Sequence, residues 1–188
     1  VRGRKIKKKN LLIITDLFPP DPSGRSEKMF RHAKYLEREG LCVDMICPST
    51  LAAPKSHPIL GNKGYCYRVP PFLMSHLSSL KWQENFAPQT RLGHLLRKLK
   101  IPSGYIRWLL PAFQKASRLI QKKNIHTVFC VSNPVTSQIL GIVLKIKHPS
   151  IKYIAELRDP LRGYFRSRHH ETVNFIIEKM IGRYADQI

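Results

Sequence analysis

Short, continuous apolar runs separated by polar segments form the main pattern along this chain. Runs of this kind are typical of parallel strands that are covered on both faces of a sheet. The pattern predicts strands at residues 11–15, 43–47, 127–131 and 153–157, and a further short strand at 65–69. The segment at 185–188 has the pattern of a further strand that has only begun.

Apolar residues recur at helical spacing directly after the first strand. The side that faces the core carries Met29, Phe30, Ala33 and Leu36, and basic residues fill the other side. Ser26 is the predicted N-cap, and Gly40 is the predicted stop. With the strands on either side, this helix makes a βαβ unit.

The same spacing predicts helices over 105–123, 136–147 and 172–184. Pro111 either kinks the first of these or marks its true start. Because strands and helices alternate along the chain, we expect an α/β fold with a doubly wound, mostly parallel Rossmann-like sheet.

The length of the chain fits one domain. Its 188 residues are enough for one core, and 43% hydrophobic with 24% charged residues exclude wholesale disorder, collagen and coiled coil. Residues 1–10 are predicted to be a basic arm, and residues 11–188 a single domain. Residues 48–64 read as irregular, and 162–170 as a basic loop.

The charge balance points to an anionic partner. Thirty-three Lys and Arg against twelve Asp and Glu give a net charge of +21. Nucleic acid, an acidic membrane surface and phosphorylated small molecules all fit such a charge. Nucleic acid is the weakest of the three, because the charge is spread along the chain and no recognition motif accompanies it.

A short amphipathic segment at 91–100 concentrates some of this charge. Its leucines recur at helical spacing, and its basic residues are Arg91, Arg97, Lys98 and Lys100. Two interpretations stand: the leucine face lies on anionic lipid with these four residues as membrane contacts, or it packs on the core. The uncharged stretch 124–144 holds too many polar residues for a membrane span and reads as a strand, a turn and a helix.

The cysteines predict no metal site. None of Cys42, Cys47, Cys66 and Cys130 falls at a zinc-binding spacing, and the histidines show no ligand pattern. The apolar surroundings of three of them, Cys42, Cys47 and Cys130, predict buried thiols in a reducing cytosol.

Candidate chemistry lies where the predicted strands end. Ligands of doubly wound sheets bind beyond the carboxyl ends of the strands. Polar or turn residues follow three of these ends, at 16–25, 132–134 and 158–159. We therefore expect the site there.

The loop after the first strand is a candidate anion site. Gly24 lets a ligand approach the backbone, Arg25 is suited to pair with a phosphate, and a helix begins next to both. The alternative is an ordinary strand-to-helix connection. The glycine fingerprints of dinucleotide-binding and P-loop proteins are missing, which disfavours an oxidoreductase.

A second cluster consists of Glu156, Arg158 and Asp159. Asp159 is suited to act as a general base or to bind a sugar hydroxyl. The alternative is an Arg–Asp pair that only caps the strand.

In sequence order, four segments resemble family 4 glycosyltransferases of the GT-B fold. The first is Leu-Ile-Ile-Thr-Asp-Leu-Phe-Pro-Pro-Asp-Pro-Ser-Gly-Arg-Ser-Glu at 12–27, followed by a helix and the strand at 43–47. The others are Ile-His-Thr-Val-Phe-Cys-Val-Ser-Asn-Pro at 125–134, Tyr-Ile-Ala-Glu-Leu-Arg-Asp-Pro at 153–160, and Tyr-Ala-Asp-Gln-Ile at 184–188. The resemblance covers nearly the whole chain.

The resemblance implies the N-terminal, acceptor-side domain of such an enzyme, without the donor-binding domain. The intact protein would transfer a sugar from a nucleotide-sugar to a sugar or lipid-linked acceptor, with retention and without a metal or other cofactor. It would serve cell-surface polysaccharide or glycolipid synthesis in the cytoplasm, at the inner face of the membrane if it binds lipid. This domain alone would be inactive.

The resemblance also implies roles for single residues. Gly24 and Arg25 would face the donor phosphates. Asp159 is the catalytic candidate, and the acceptor side would be lined by Asp16, Asn133, Glu156 and Arg158. The rival hypothesis is a non-catalytic basic module that docks to an anionic membrane or a partner subunit.

Overall fold

A computed structural model describes residues 10–49, 56–59, 64–70, 106–132, 135–158 and 168–188 of the chain. The strands are β1 (Asn10–Ile14), β2 (Cys42–Pro48), β3 (His57–Pro58), β4 (Tyr65–Val69), β5 (Thr127–Val131) and β6 (Lys152–Glu156). The helices are α1 (Gly24–Arg38), α2 (Ile106–Lys123), α3 (Val135–Lys147) and α4 (Arg168–Tyr184).

One six-stranded sheet joins all of these strands, in the order β3-β4-β2-β1-β5-β6. Every strand pairing is parallel except that of β3 with β4, which is antiparallel. Beyond β6, a parallel bridge joins Ile154 to Gln187, where the sequence predicts a strand that has only begun. The doubly wound, mostly parallel α/β sheet is confirmed.

Helices cover both faces of the sheet, which explains the apolar strands. In β1, Leu12 and Ile14 face the core under α2, α3 and α4, while Leu11 and Ile13 face the core under α1. A strand buried on both faces has no polar side, so its sequence reads as one apolar run.

The predicted N-cap of α1 is wrong by one turn. Ser23 caps the helix: its backbone is extended, and its Oγ accepts a hydrogen bond from the Ser26 N–H at 3.2 Å. Ser26 is buried inside the first turn. Both serines have the right chemistry, and the loop geometry selects the earlier one. At the other end, Gly40 has a φ of 87°, the left-handed conformation expected of a helix stop.

The helix predicted over 105–123 is confirmed as α2 (Ile106–Lys123), and Pro111 lies inside it rather than at its start. One more helix end differs from the sequence-based expectation. Helix α4 begins at Arg168, inside the predicted basic loop. Its first turn is polar and charged and so lacks the apolar spacing by which a helix is read.

The cysteine prediction holds for Cys47 and Cys130, which are buried, whereas Cys42 is only half-buried. Cys66 is buried as well, with its Sγ 3.4 Å from Cys47 Sγ. All four are free thiols. Within the described ranges, no helix is both long and apolar enough to cross a bilayer.

Candidate functional site

Three strand ends and the start of α1 converge at the carboxyl edge of the sheet. Asp16 follows β1, Ser132 follows β5, and Arg158 follows β6. Parallel strands bring their carboxyl ends to the same edge, which is why residues so far apart in the chain meet. The three segments singled out in the sequence therefore lie at one edge of the sheet.

Asp16 and Arg25 form the first ion pair of this cluster. Arg25 Nη1 lies 3.1 Å from Asp16 Oδ2, with the carboxylate buried and the guanidinium side chain 43% exposed. Burial raises the pKa of Asp16 to about 6, and the Arg25 charge opposes that rise. The buried Asp16 carboxylate thus holds the Arg25 guanidinium at the protein surface.

Glu156 forms the second centre. Its Oε1 accepts from Arg158 Nε at 3.1 Å and from Lys28 Nζ at 3.4 Å. Its Oε2 is buried and has no hydrogen-bond partner among the described residues. The carboxylate therefore keeps an unused acceptor beside two cations.

Arg158 is held from both its backbone and its side chain. Its N–H donates to Ser132 Oγ at 2.8 Å, and the Ser132 N–H donates to the Glu156 carbonyl at 2.8 Å. The guanidinium also acts on Asp16, since its charge lowers the pKa of that carboxyl. The observed partner of Arg158 is thus Glu156; an Arg158–Asp159 pair lies outside the described residues.

The first turn of α1 adds its own positive potential. Gly24 and Arg25 are the first two helical residues, so their N–H groups lie at the positive end of the helix dipole. Gly24 is therefore part of the helix rather than of the loop before it. The space where its side chain would be is open: apart from the adjoining backbone, no atom of the described residues lies within 4 Å of a Cβ built there.

The structure brings together the predicted residues Asp16, Gly24, Arg25, Glu156 and Arg158; their roles in binding and catalysis stay predictions. Several other candidate residues lie outside the described residues, namely Asn133, Asp159, Arg91, Arg97, Lys98 and Lys100.

Two contributors escaped the sequence analysis. Lys28 reads as solvent-facing, yet it lies one turn after Arg25 on the same side of α1, and that spacing was a usable signal. Ser132 was only a turn residue in the sequence; nothing short of the sheet order reveals that its hydroxyl meets Arg158. In the described part of the chain, no group of three or more His, Cys, Asp or Glu is arranged to hold a metal ion.

Comparison with known proteins bears on the fold. No protein-family model matches the sequence, and no curated protein sequence is significantly similar to it. Among solved structures, sucrose-phosphate synthase from Thermosynechococcus elongatus matches with a TM-score of 0.60 and 12% identity, over 95% of this chain and 41% of that one. The chain thus spans less than half the length of that enzyme.

A second structure of the same enzyme gives a TM-score of 0.56 and 13% identity, over 95% of this chain and 74% of that one. The Streptomyces sp. SF2575 glycosyltransferase SsfS6, complexed with thymidine diphosphate, is matched at a TM-score of only 0.47, with 14% identity over 96% of this chain and 48% of that one. At these identities the likeness concerns the fold. The chain has a Rossmann-like, glycosyltransferase GT-B-like domain fold.

Proposed function

We propose that this protein is the acceptor-side domain of a glycosyltransferase that moves a sugar from a nucleotide-sugar to an acceptor. The observation that carries the proposal is the meeting of Arg25, Lys28 and Arg158 with the positive end of α1 at the carboxyl edge. This arrangement suits a diphosphate. The fold similarity to sucrose-phosphate synthase supports it.

The residues divide into two roles. Gly24 and Arg25 face the donor diphosphate, which competes with Asp16 for the exposed guanidinium. Glu156 lines the acceptor side, where Lys28 and Arg158 hold its carboxylate in place. Arg158 lines the acceptor side together with Glu156, whose carboxylate it holds.

The finer parts of the proposal rest on the sequence resemblance. Asp159 is the catalytic candidate and Asn133 lines the acceptor side. Transfer proceeds with retention and without a metal, the acceptor is a sugar or is lipid-linked, and the product belongs to cell-surface polysaccharide or glycolipid synthesis. Contact with an anionic membrane through Arg91, Arg97, Lys98 and Lys100 belongs to the same proposal.

A transfer assay on the full-length protein tests this function. A panel of nucleotide-sugars is offered with extracted acceptors, and the product is detected by mass spectrometry. Arg25→Gln should raise the donor KM about tenfold or more, since a charge-assisted hydrogen bond to phosphate is lost. Asp159→Asn should lower kcat about a hundredfold or more, as expected for a lost acid–base group.

Arg38→Gln is the matched control, because Arg38 is an exposed arginine in the last turn of the same helix. It should leave both parameters unchanged. The proposal would be contradicted if none of the nucleotide-sugars supports transfer, or if Arg25→Gln and Arg38→Gln have equal effects. An inverted anomeric centre in the product would overturn retention alone.

A further inference from the structure

A second recess lies on the α2 side of the sheet, separate from the Asp16–Arg158 cluster. It occupies about 240 Å³ between the end of β4 and the middle of α2. Its polar walls are Ser56, Arg68, Gln114, Lys115 and Arg118. Because a water molecule takes up ~30 Å³ in the liquid, this space is larger than one small ion needs.

The lining of the recess contains basic side chains and no acidic ones. Arg68, Lys115 and Arg118 all belong to its walls, and no Asp or Glu does. The whole of α2 contains no acidic residue. None of the ion pairs in the described part of the chain uses any of the three.

Arg68 is the unusual member, because it is only 6% exposed. Its guanidinium donates to the carbonyls of Phe18 and Pro19, each at 2.6 Å, and to that of Pro48 at 3.4 Å. Its Nε is buried with no hydrogen-bond partner among the described residues. Carbonyl groups satisfy N–H donors but carry no net charge, so this buried cation has no counter-ion among the described residues.

Lys115 and Arg118 stand one helical turn apart, on the same side of α2. Lys115 Nζ lies 4.3 Å above the Tyr67 ring, which holds the amine in place without neutralising it. Arg118 is exposed and makes no hydrogen bond or ion pair to a described residue. Neither cation has an anionic partner among the described residues, so both can meet an anion from outside.

Neutral groups complete the walls of the recess. Ser56 Oγ accepts a hydrogen bond from the backbone N–H of Arg68 at 2.9 Å, which leaves the Ser56 O–H as a donor. The Gln114 amide adds two N–H donors. A group with several acceptor oxygens and a double negative charge uses such walls better than a carboxylate does.

We propose that this recess binds a phosphate monoester, with the phosphate against Lys115, Arg118 and Ser56 and the rest of the molecule in the remaining space. Arg68 closes the wall at the end of β4, with its guanidinium turned toward the carbonyls of Phe18 and Pro19. The site does not rest on glycosyl transfer. Arg68 links the recess to the Asp16 side of the edge, since it holds the carbonyls of the loop that joins β1 to α1.

Isothermal titration at low ionic strength in a phosphate-free buffer tests the proposal. The ligands are inorganic phosphate, a hexose 6-phosphate and the unphosphorylated hexose. We expect one-to-one binding of the hexose phosphate and none of the hexose. Lys115→Gln with Arg118→Gln should weaken that binding about tenfold or more, because two charge-assisted contacts are lost.

The matched control is Lys34→Gln with Arg38→Gln, which removes the same charge from two exposed positions four residues apart on α1. It should change the dissociation constant less than twofold. Arg118→Gln alone guards against misfolding, because that side chain is exposed, and should weaken binding severalfold.

Sedimentation with vesicles identifies the source of the phosphate. Vesicles with phosphatidic acid carry a phosphate monoester on a lipid, whereas phosphatidylcholine vesicles do not. The site would be assigned to a lipid if the protein binds phosphatidic acid but not the hexose phosphate. In that case the recess variant should lose binding to phosphatidic acid, and the control variant should keep it. The proposal is overturned if the recess and control variants behave alike with every ligand, or if hexose and hexose phosphate bind equally. Neither result depends on the transfer assay.

Discussion

At the scale of single residues, Asp16 is the most perturbed group of the candidate site. Its side chain is 6% exposed, and burial raises its pKa from 3.8 to about 6 although Arg25 and Arg158 both act in the other direction. Loss of hydration therefore outweighs two nearby cations. Near neutral pH the group is close enough to its pKa for small changes in its surroundings to alter its charge.

Removal of the Arg25 charge should raise the Asp16 pKa further. In Arg25→Gln, burial remains while the main opposing interaction is lost, so we expect a pKa above about 6. Carbon-detected NMR titration of the side-chain carboxyl measures this directly. Arg31→Gln is the control, because Arg31 pairs with Glu27 at the surface and should leave Asp16 unchanged. An Asp16 pKa that stays the same or falls in Arg25→Gln would show that the ion pair does not hold in solution.

The raised pKa also fixes the sign of a pH effect on stability. Between pH 4 and 6 the folded protein keeps the Asp16 proton that the unfolded chain releases, so this residue destabilises the fold progressively as pH rises through that window. Asp16→Asn cannot ionise and escapes the penalty. Its free energy of unfolding relative to the wild type should thus improve by roughly 3 kcal/mol from pH 4 to pH 7. Urea unfolding at both pH values measures the difference, and a change of opposite sign would refute it.

At the scale of elements, the contact of α3 with the sheet depends on one glycine. A Cβ at Gly141 would lie 2.4 Å from Tyr153 Cε2 and 2.7 Å from Cys130 Sγ. Tyr153 cannot retreat easily, because its hydroxyl donates to Gln138 Oε1 at 2.7 Å and its ring is fully buried. The glycine lets α3 approach β5 and β6 closely.

Gly141→Ala should therefore destabilise the protein by about 1–3 kcal/mol, the usual cost of overpacking a core. Gly182→Ala in α4 is the matched control, since nothing lies within 4 Å of its Cβ position. Alanine is the better helix former, so the control should gain about 0.5–1 kcal/mol. Chemical denaturation measures both, and equal signs for the two variants would contradict the packing argument.

At the scale of the whole molecule, basic side chains far outnumber the acidic side chains that could neutralise them. The net charge is +21, and the pairs in the described residues use only a few of the 33 basic side chains. Like charges on one compact body repel each other. Repulsion among its positive charges therefore lowers the stability of the free protein. An anionic ligand would reduce this repulsion.

Salt should stabilise this protein. From 0.01 M to 0.1 M ionic strength the screening length falls from ~30 Å to ~10 Å, which weakens repulsion across the molecule. We expect Tm to rise by about 2–4 °C for each kcal/mol of repulsion removed. Calorimetry at pH 7 tests this, and the effect should shrink near pH 10, where lysines begin to lose their charge. A Tm that falls with salt at pH 7 would show that attractive pairs dominate.

The sequence determined the elements of this fold because burial leaves a local signature. The apolar runs of β1 and β5 and the helical spacing of Met29 and Ala33 reflect which side of each element meets the core. Element ends were less certain where the chemistry was ambiguous, as with the two serines that compete to cap α1. The strand ends also located the carboxyl edge, since a parallel sheet gathers them there.

Only the tertiary structure decided which polar side chains meet. Glu156 pairs with Lys28 across 128 positions of the chain, and Ser132 meets Arg158 only because β5 lies beside β6. The buried state of Arg68 and the raised pKa of Asp16 likewise depend on atoms far away in sequence. Hydrophobic burial repeats along an element and can be read from spacing, whereas an ion pair or a desolvated charge is a property of positions in space.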